Sequence, residues 1–255
     1  MMRGLVAAAF LAFSTAMAAA QSLTPPAGGL KAAYLSTNPA QAIRNVVTGE
    51  IKGAAAELAR EIARRRGVAV SFAAFSSPAA VIEAVRTGAA EVGFLAPDDS
   101  AAVAFTRPYM LVQQSFLVRE DSAIKSVADV DKAGRVIAAS SRDTIGPYLK
   151  GWVKQAALRE SADTTLQEAV AWLGDGAIDA FGGSRQRLAS AQRGAKGLRL
   201  LPDNLYGAPQ AIAVAKDKPE LLTSLNALIV ELRGNGFLKT AVEGGVEGVV
   251  VAPEM

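Results

Sequence analysis

The chain has 255 residues, 51% of them hydrophobic and 20% charged, which is the make-up of a folded protein of one large or two smaller domains and not of a disordered chain. Its 27 basic and 24 acidic residues leave a net charge of +3, too near balance to argue for a nucleic-acid partner. Histidine and cysteine are both absent, which excludes histidine triads, histidine-bound zinc, the usual general base and disulfide bracing, so the core must stabilise the fold by itself.

Residues 1–20 read as a cleavable signal peptide. Arg3 is their only charge, residues 4–13 are apolar, and Ala18-Ala19-Ala20 precedes Gln21 as a small-residue cleavage site. The segment is too short to span a membrane, and no cysteine sits at the cut to carry a lipid. The chain is therefore expected to be exported and to start near Gln21.

Residues 23–29, rich in proline and glycine, form an extended leader to a strand at 30–35 and the polar loop Ser36-Thr37-Asn38-Pro39. A turn at 48–53 opens a helix over 54–66, in which Ala55, Leu58, Ala59 and Ile62 share a face. Its end, Arg64-Arg65-Arg66-Gly67, reads as cationic helix-ending chemistry before an anion patch. A strand at 68–72, a helix at 78–86 stopped by Thr87-Gly88, and a buried strand at 91–96 complete a βαβαβ unit with a parallel sheet. Residues 97–101 leave the carboxyl end of that last strand, where α/β sheets bind ligands, and carry Asp98 and Asp99; a solvated turn with a helix N-cap is the competing reading.

After an apolar run at 110–118 the pattern starts again. A short helix at 127–131, a strand at 136–139 and the polar loop 140–144 lead to a helix at 145–158, with Asp143 or Thr144 as N-cap and Pro147 in its first turn. A helix at 165–173 and a strand at 177–181 follow. Gly182-Gly183-Ser184 then opens a helix at 185–192, and a strand lies at 198–201. A strand at 211–215, an amphipathic helix at 219–233, a short helix and an apolar tail close the chain, with no repeat of fixed period.

Four tracts in order carry a resemblance. Thr48-Gly49-Glu50-Ile51-Lys52-Gly53 with Glu57-Leu58-Ala59, the run Arg86 to Phe94, Phe105-Thr106-Arg107-Pro108-Tyr109, and Gly174-Asp175-Gly176-Ala177-Ile178-Asp179-Ala180 together resemble the family 3 extracellular solute-binding proteins. The resemblance implies an α/β, two-lobed type II periplasmic binding protein fold, with two crossing strands as hinge near 109–114 and 206–210. It places the first lobe in 21–112 and 208–255 and the second in 113–207. It also implies a monomer in the periplasm that holds a small-molecule ligand between its lobes and hands it to the membrane permease of an ABC transporter, with no cofactor, no metal and no nucleic acid. Members that bind α-amino acids carry an arginine after the strand that here ends at Ala96, and an aspartate a few residues after Asp-Ala. This chain has neither: Pro97 to Ala101 holds no arginine, and Phe181-Gly182-Gly183-Ser184-Arg185 follows Asp179-Ala180.

The residues themselves point to an inverted charge pattern, acid in the first lobe and arginine in the second. Arg142 and the amides of Asp143 and Thr144 stand at a helix N-terminus, a natural anion site, and Arg185 at another; Arg142 paired at the surface with Asp143, and an exposed first-turn Arg185, are the alternatives. Asn38 is placed to hydrogen-bond a ligand or to form an Asx turn. Tyr109 is expected to wall the cleft, Tyr34 to be core, and Gln210 to contribute at the second crossing. The leading expectation is a non-enzymatic receptor for a small polar, anionic metabolite, not a standard α-amino acid held in the usual way. An exported cyclohexadienyl-dehydratase-like enzyme using Asp98 and Asp99, and a ligand-binding sensor or accessory protein, are the alternatives.

Overall fold

The computed structural model describes residues 28–98, 102–141, 143–162, 164–244 and 246–254; the expected signal peptide lies outside them. The first unit runs β1 (Leu30–Leu35), a small hairpin of β2 (Ile43–Arg44) and β3 (Ile51–Lys52), α1 (Ala54–Arg66), β4 (Val70–Phe75), α2 (Pro78–Arg86) and β5 (Val92–Leu95). Helix α1 stops where its chemistry changes: three arginines occupy the last turn, and Gly67, at φ 66°, returns its N–H to the carbonyls of Ala63 and Arg64. Helix α2 starts on Ser77, whose side chain accepts from the Ala80 N–H ahead of a first-position proline. Strand β1 pairs in parallel with β4 and with β5, as a βαβαβ unit requires.

The chain continues through β6 (Val103–Phe105), β7 (Met110–Arg119), β8 (Val136–Ser140), α3 (Ile145–Trp152), β9 (Ala157–Ser161), α4 (Leu166–Gly174), β10 (Ala180–Ser184), α5 (Arg185–Gly194) and β11 (Leu198–Leu200). It ends with β12 (Tyr206–Ala215), α6 (Pro219–Gly234), α7 (Phe237–Glu243) and β13 (Val249–Val251). The main strand order is β4-β1-β5-β12-β7-β10-β8-β9. Strands β7 and β12, 10 residues each, pair with one another over Met110 to Gln114 and Tyr206 to Gln210, then diverge. The rest of β12 pairs with β5 and β6, and the rest of β7 with β10 and β11. Two α/β lobes joined by two crossing strands result, and β13 lies along the same part of β7 as a third strand.

Each lobe buries its sheet on both faces. Leu58, Ile62, Phe94, Ile212 and Ile229 fill one side of the first lobe. In the second, Phe116, Ile137, Ile145 and Leu149 lie on one side and Leu117, Leu173, Phe181 and Leu188 on the other. Tyr206 packs against both the first-lobe core and the α3 side of the second.

Three sequence expectations move. The strand expected at 68–72 forms at 70–75. The helix expected to run to 158 ends at Trp152, because the Asp131 carboxylate accepts 2.8 Å hydrogen bonds from the N–H groups of Lys154, Gln155 and Ala156 and turns the chain into the parallel edge strand β9. The strand expected at 177–181 is β10, shifted so that Gly182 and Gly183 are strand and not loop. A Cβ on Gly182 would stand 2.9 Å from Ile145 and 3.2 Å from Phe116, so glycine is what lets α3 lie directly on β10.

Candidate functional site

Strand directions place the site. Strand β5 runs antiparallel to β12 and ends with Leu95 opposite Ala211. Strand β10 runs antiparallel to β7 and ends with Ser184 opposite Gln114. Since 110–114 pairs with 206–210, the carboxyl ends of both lobes' strands point at the crossing from opposite sides, and the loops leaving β1, β5, β8 and β10 face one another there.

The first-lobe wall is a cluster of amides. Asn38 accepts from the Gln41 N–H at 3.0 Å through its carbonyl, which bends the loop after β1, and its Nδ2 donates to Gln210 Oε1 at 3.4 Å. Gln41 Nε2 donates to the same oxygen. Gln210 Nε2 donates to the Pro209 carbonyl at 2.8 Å, so the crossing strand itself orients that amide. Gln41 and Gln210 are buried, and Gln41 Oε1 meets no hydrogen-bond donor. The loop is held this close by Gly53, at φ 121°, where a Cβ would stand 2.4 Å from the Gln41 carbonyl oxygen. Asp98 is exposed at the rim, and Asp99 lies outside the described residues.

Tyr109 does not wall the groove. It is fully buried in the first-lobe core, edge-on to Phe94 at 6.0 Å, while Tyr34 is core as expected. The Tyr109 hydroxyl meets no partner, and burial pushes its pKa far above the usual phenol value. Tyr109→Phe is therefore expected to raise the melting temperature, by about 2–4 °C for each kcal/mol of relieved desolvation. A lower melting temperature in a thermal scan would show that the hydroxyl is bonded.

The second-lobe wall is charged. Asp143 precedes α3, Arg187 stands in the first turn of α5, and their side chains form an ion pair, each about one-third exposed. Burial raises the Asp143 carboxyl above its ordinary pKa, against the pull of Arg187. Thr144, exposed, offers its carbonyl to the Tyr206 hydroxyl at 3.0 Å; its side chain forms no cap. Arg142 lies outside the described residues. Arg185 is not an anchor: its guanidinium donates to the carbonyls of Leu201, Pro202 and Asp203 and to Asn204 Oδ1, at 3.0–3.4 Å, clamping the loop before the crossing.

Gln41 and Arg187 are thus candidate site residues that sequence reasoning missed. Residues two apart on a helix point to nearly opposite sides, so Arg185 and Arg187 find different partners. Arg187 is the one that reaches Asp143 after β8, while Arg185 is taken up by the loop at 201–204. Among the described residues no cluster of three acidic side chains is placed to hold a metal ion. A surface cavity of about 410 Å³ lies at the outer edge of the second lobe, lined by Arg119, Glu120, Asp121 and Lys196; it is remote from the strand ends and mixes both signs of charge.

The family described as bacterial extracellular solute-binding proteins, family 3, matches over residues 30–243. No curated protein sequence matches. Among solved structures, a putative ABC-transporter binding component from Wolinella succinogenes, complexed with lysine, has a TM-score of 0.69 at 24% identity over 85% of this chain and 95% of its own. An amino acid ABC transporter substrate-binding protein from Streptococcus pneumoniae, bound to L-arginine, gives 0.66 at 22% identity over 87% and 96%. An ancestral amino-acid-binding protein, described as a precursor of cyclohexadienyl dehydratase, gives 0.65 at 24% identity over 86% and 95%.

Proposed function

This chain belongs to the bacterial extracellular solute-binding proteins, family 3, and on that premise we propose that it captures a small polar metabolite with an anionic group between its lobes and presents it to the permease of an ABC transporter in the periplasm. The observation that carries this reading is the Asp143–Arg187 pair at the mouth of two helix N-termini. A ligand anion reaching this pair competes with the Asp143 carboxylate for the Arg187 guanidinium and meets the first N–H groups of α5. The facing wall, Asn38, Gln41 and Gln210, is made of amides, and the Gln41 Oε1 that meets no donor would accept from a hydroxyl or N–H of the ligand. With no arginine in Pro97 to Ala101, that division supports a ligand other than an α-amino acid held in the usual way. Contacts from both lobes would favour a closed form about the 110–114 and 206–210 crossing.

A thermal-shift panel of amino acids, organic acids, polyamines and sugars tests this. At about a hundred times Kd a ligand adds roughly 2.7 kcal/mol, or about 5–10 °C for a chain of this size. An organic acid is expected to give the shift. Stabilisation by polyamines alone would overturn the anion assignment.

A second reading, an exported dehydratase acting on a cyclohexadienyl carboxylate, is supported by the burial-raised Asp143 carboxyl, which suits general acid–base work better than exposed Asp98. Turnover of such a substrate, lost in Asp143→Asn, would favour it over the receptor.

A further inference from the structure

We propose that Tyr148 and Tyr206 form an aromatic platform that makes this site select ligands whose anionic group is attached to a planar, unsaturated ring. The inference rests on the anion-receptor reading above and names the ligand class for that same site.

The chain has four tyrosines, and the fold divides them. Tyr34 and Tyr109 are buried in the first-lobe core. Tyr148, in α3, and Tyr206, at the start of β12, stack with centroids 3.9 Å apart and planes at 13°. Helix α3 has an inner side made by Ile145 and Leu149, both fully buried, yet Tyr148 beside them stays 39% exposed. One face of its ring is covered by Tyr206, and the residue still keeps more than a third of its surface open to solvent.

The platform stands beside the charged pair. Side chains on a helix lean toward its N-terminus, so the Tyr148 ring lies over the turn that begins at Thr144. The Tyr206 hydroxyl confirms that placement by donating to the Thr144 carbonyl. Thr144 directly follows Asp143, the partner of Arg187. Burial pushes the Tyr206 pKa up to about 12, so the hydroxyl keeps its proton and this bond at neutral pH. Tyr206 is also fixed by packing against the cores of both lobes. The stack is therefore a held surface at the hinge end of the groove.

Nothing on the opposite wall duplicates it. The described loop residues after β1 and β5, Ser36 to Gln41 and Ala96 to Asp98, include no aromatic side chain. A ring stacked on Tyr148 with its carboxylate toward Arg187 would gain an offset aromatic contact that a puckered saturated ring of the same size cannot make.

The test compares benzoate with cyclohexanecarboxylate on the full chain by calorimetry, in wild type, Tyr148→Ala and Tyr148→Phe. Benzoate is expected to bind up to about tenfold more tightly, the range of a good aromatic pair. Tyr148→Ala should erase that ratio while carboxylate binding persists, and Tyr148→Phe should keep it. Equal binding of the two acids by wild type, or a ratio that survives Tyr148→Ala, overturns the platform and leaves the anion receptor standing. Failure of wild type to bind either acid overturns the platform, and the organic acids of the thermal-shift panel then decide the anion receptor separately.

Discussion

Arg187→Ala is expected to cut the ligand-induced rise in melting temperature to about a third, at the ligand concentration that saturates wild type, while leaving a folded protein. The guanidinium is the described cation paired at the second-lobe wall, and truncating one member of a hydrogen-bonded charge pair at a binding site costs about 2–5 kcal/mol. At one-third exposure solvent screening favours the low end, near 2 kcal/mol, or roughly thirtyfold in Kd. The variant should also carry a pH signature. Burial already raises the Asp143 carboxyl, and Arg187 is what pulls it down, so its loss raises the pKa further. A raised acid contributes stability below its unfolded pKa, ordinarily 3.8, and loses that contribution as the pH rises through the folded value. Relative to wild type, Arg187→Ala should therefore be least stable at neutral pH and recover on acidification. Arg185→Ala is the control. It removes four hydrogen bonds to residues 201–204 and should lower the melting temperature, yet leave Kd unchanged. If Arg185→Ala removes binding and Arg187→Ala does not, the assignment of the two arginines is reversed.

Arg66→Ala is expected to give the largest loss of stability. Arg66 closes α1 and Glu91 immediately precedes β5; their side chains are 1% and 13% exposed and meet at 3.0 Å. Removing the arginine strands a carboxylate that is almost out of water, at a cost of about 3–5 kcal/mol. That is a large part of the 5–15 kcal/mol typical of a domain, and corresponds to a fall of roughly 10 °C in Tm. The double change Arg66→Met with Glu91→Leu removes both charges and keeps the volume, so it should recover most of the loss. A single variant that melts with wild type would show that the pair is hydrated and contributes little.

The local grammar of this chain is reliable where neighbours in sequence settle the matter. Helix α1 runs over 54–66 because the apolar residues recur at helical spacing and the arginines and Gly67 end it within one turn. Helix α4 follows Thr165 because Glu168, three residues on, completes a capping box. The segment 110–114 was readable as an extended crossing, and the order of four tracts carried the family, its two-lobed fold and with it the second crossing at 206–210. The missing arginine after Ala96 and the missing aspartate after Ala180 were likewise plain in the residues, and they are what directs attention away from the usual ligand.

The site was legible only to the level of its loops. Which side chain enters the groove depends on register, and register is set by partners far away in the chain. Asp131 ends α3 by capturing N–H groups more than twenty residues later. Gly182 pairs with Phe116 in β10, where Ile145 leaves no room for a Cβ, and, with the strand running to Ser184, Arg187 meets Asp143 while Arg185 meets the loop at 201–204. Gln41 reads as one more polar loop residue until Gln210, 169 positions on, accepts its hydrogen bond. Tyr148 and Tyr206, from different elements, become a surface only by stacking. Helix periodicity, caps and turns are short-range and survive in the bare chain; the direction of a side chain in a cleft is a long-range packing outcome and does not.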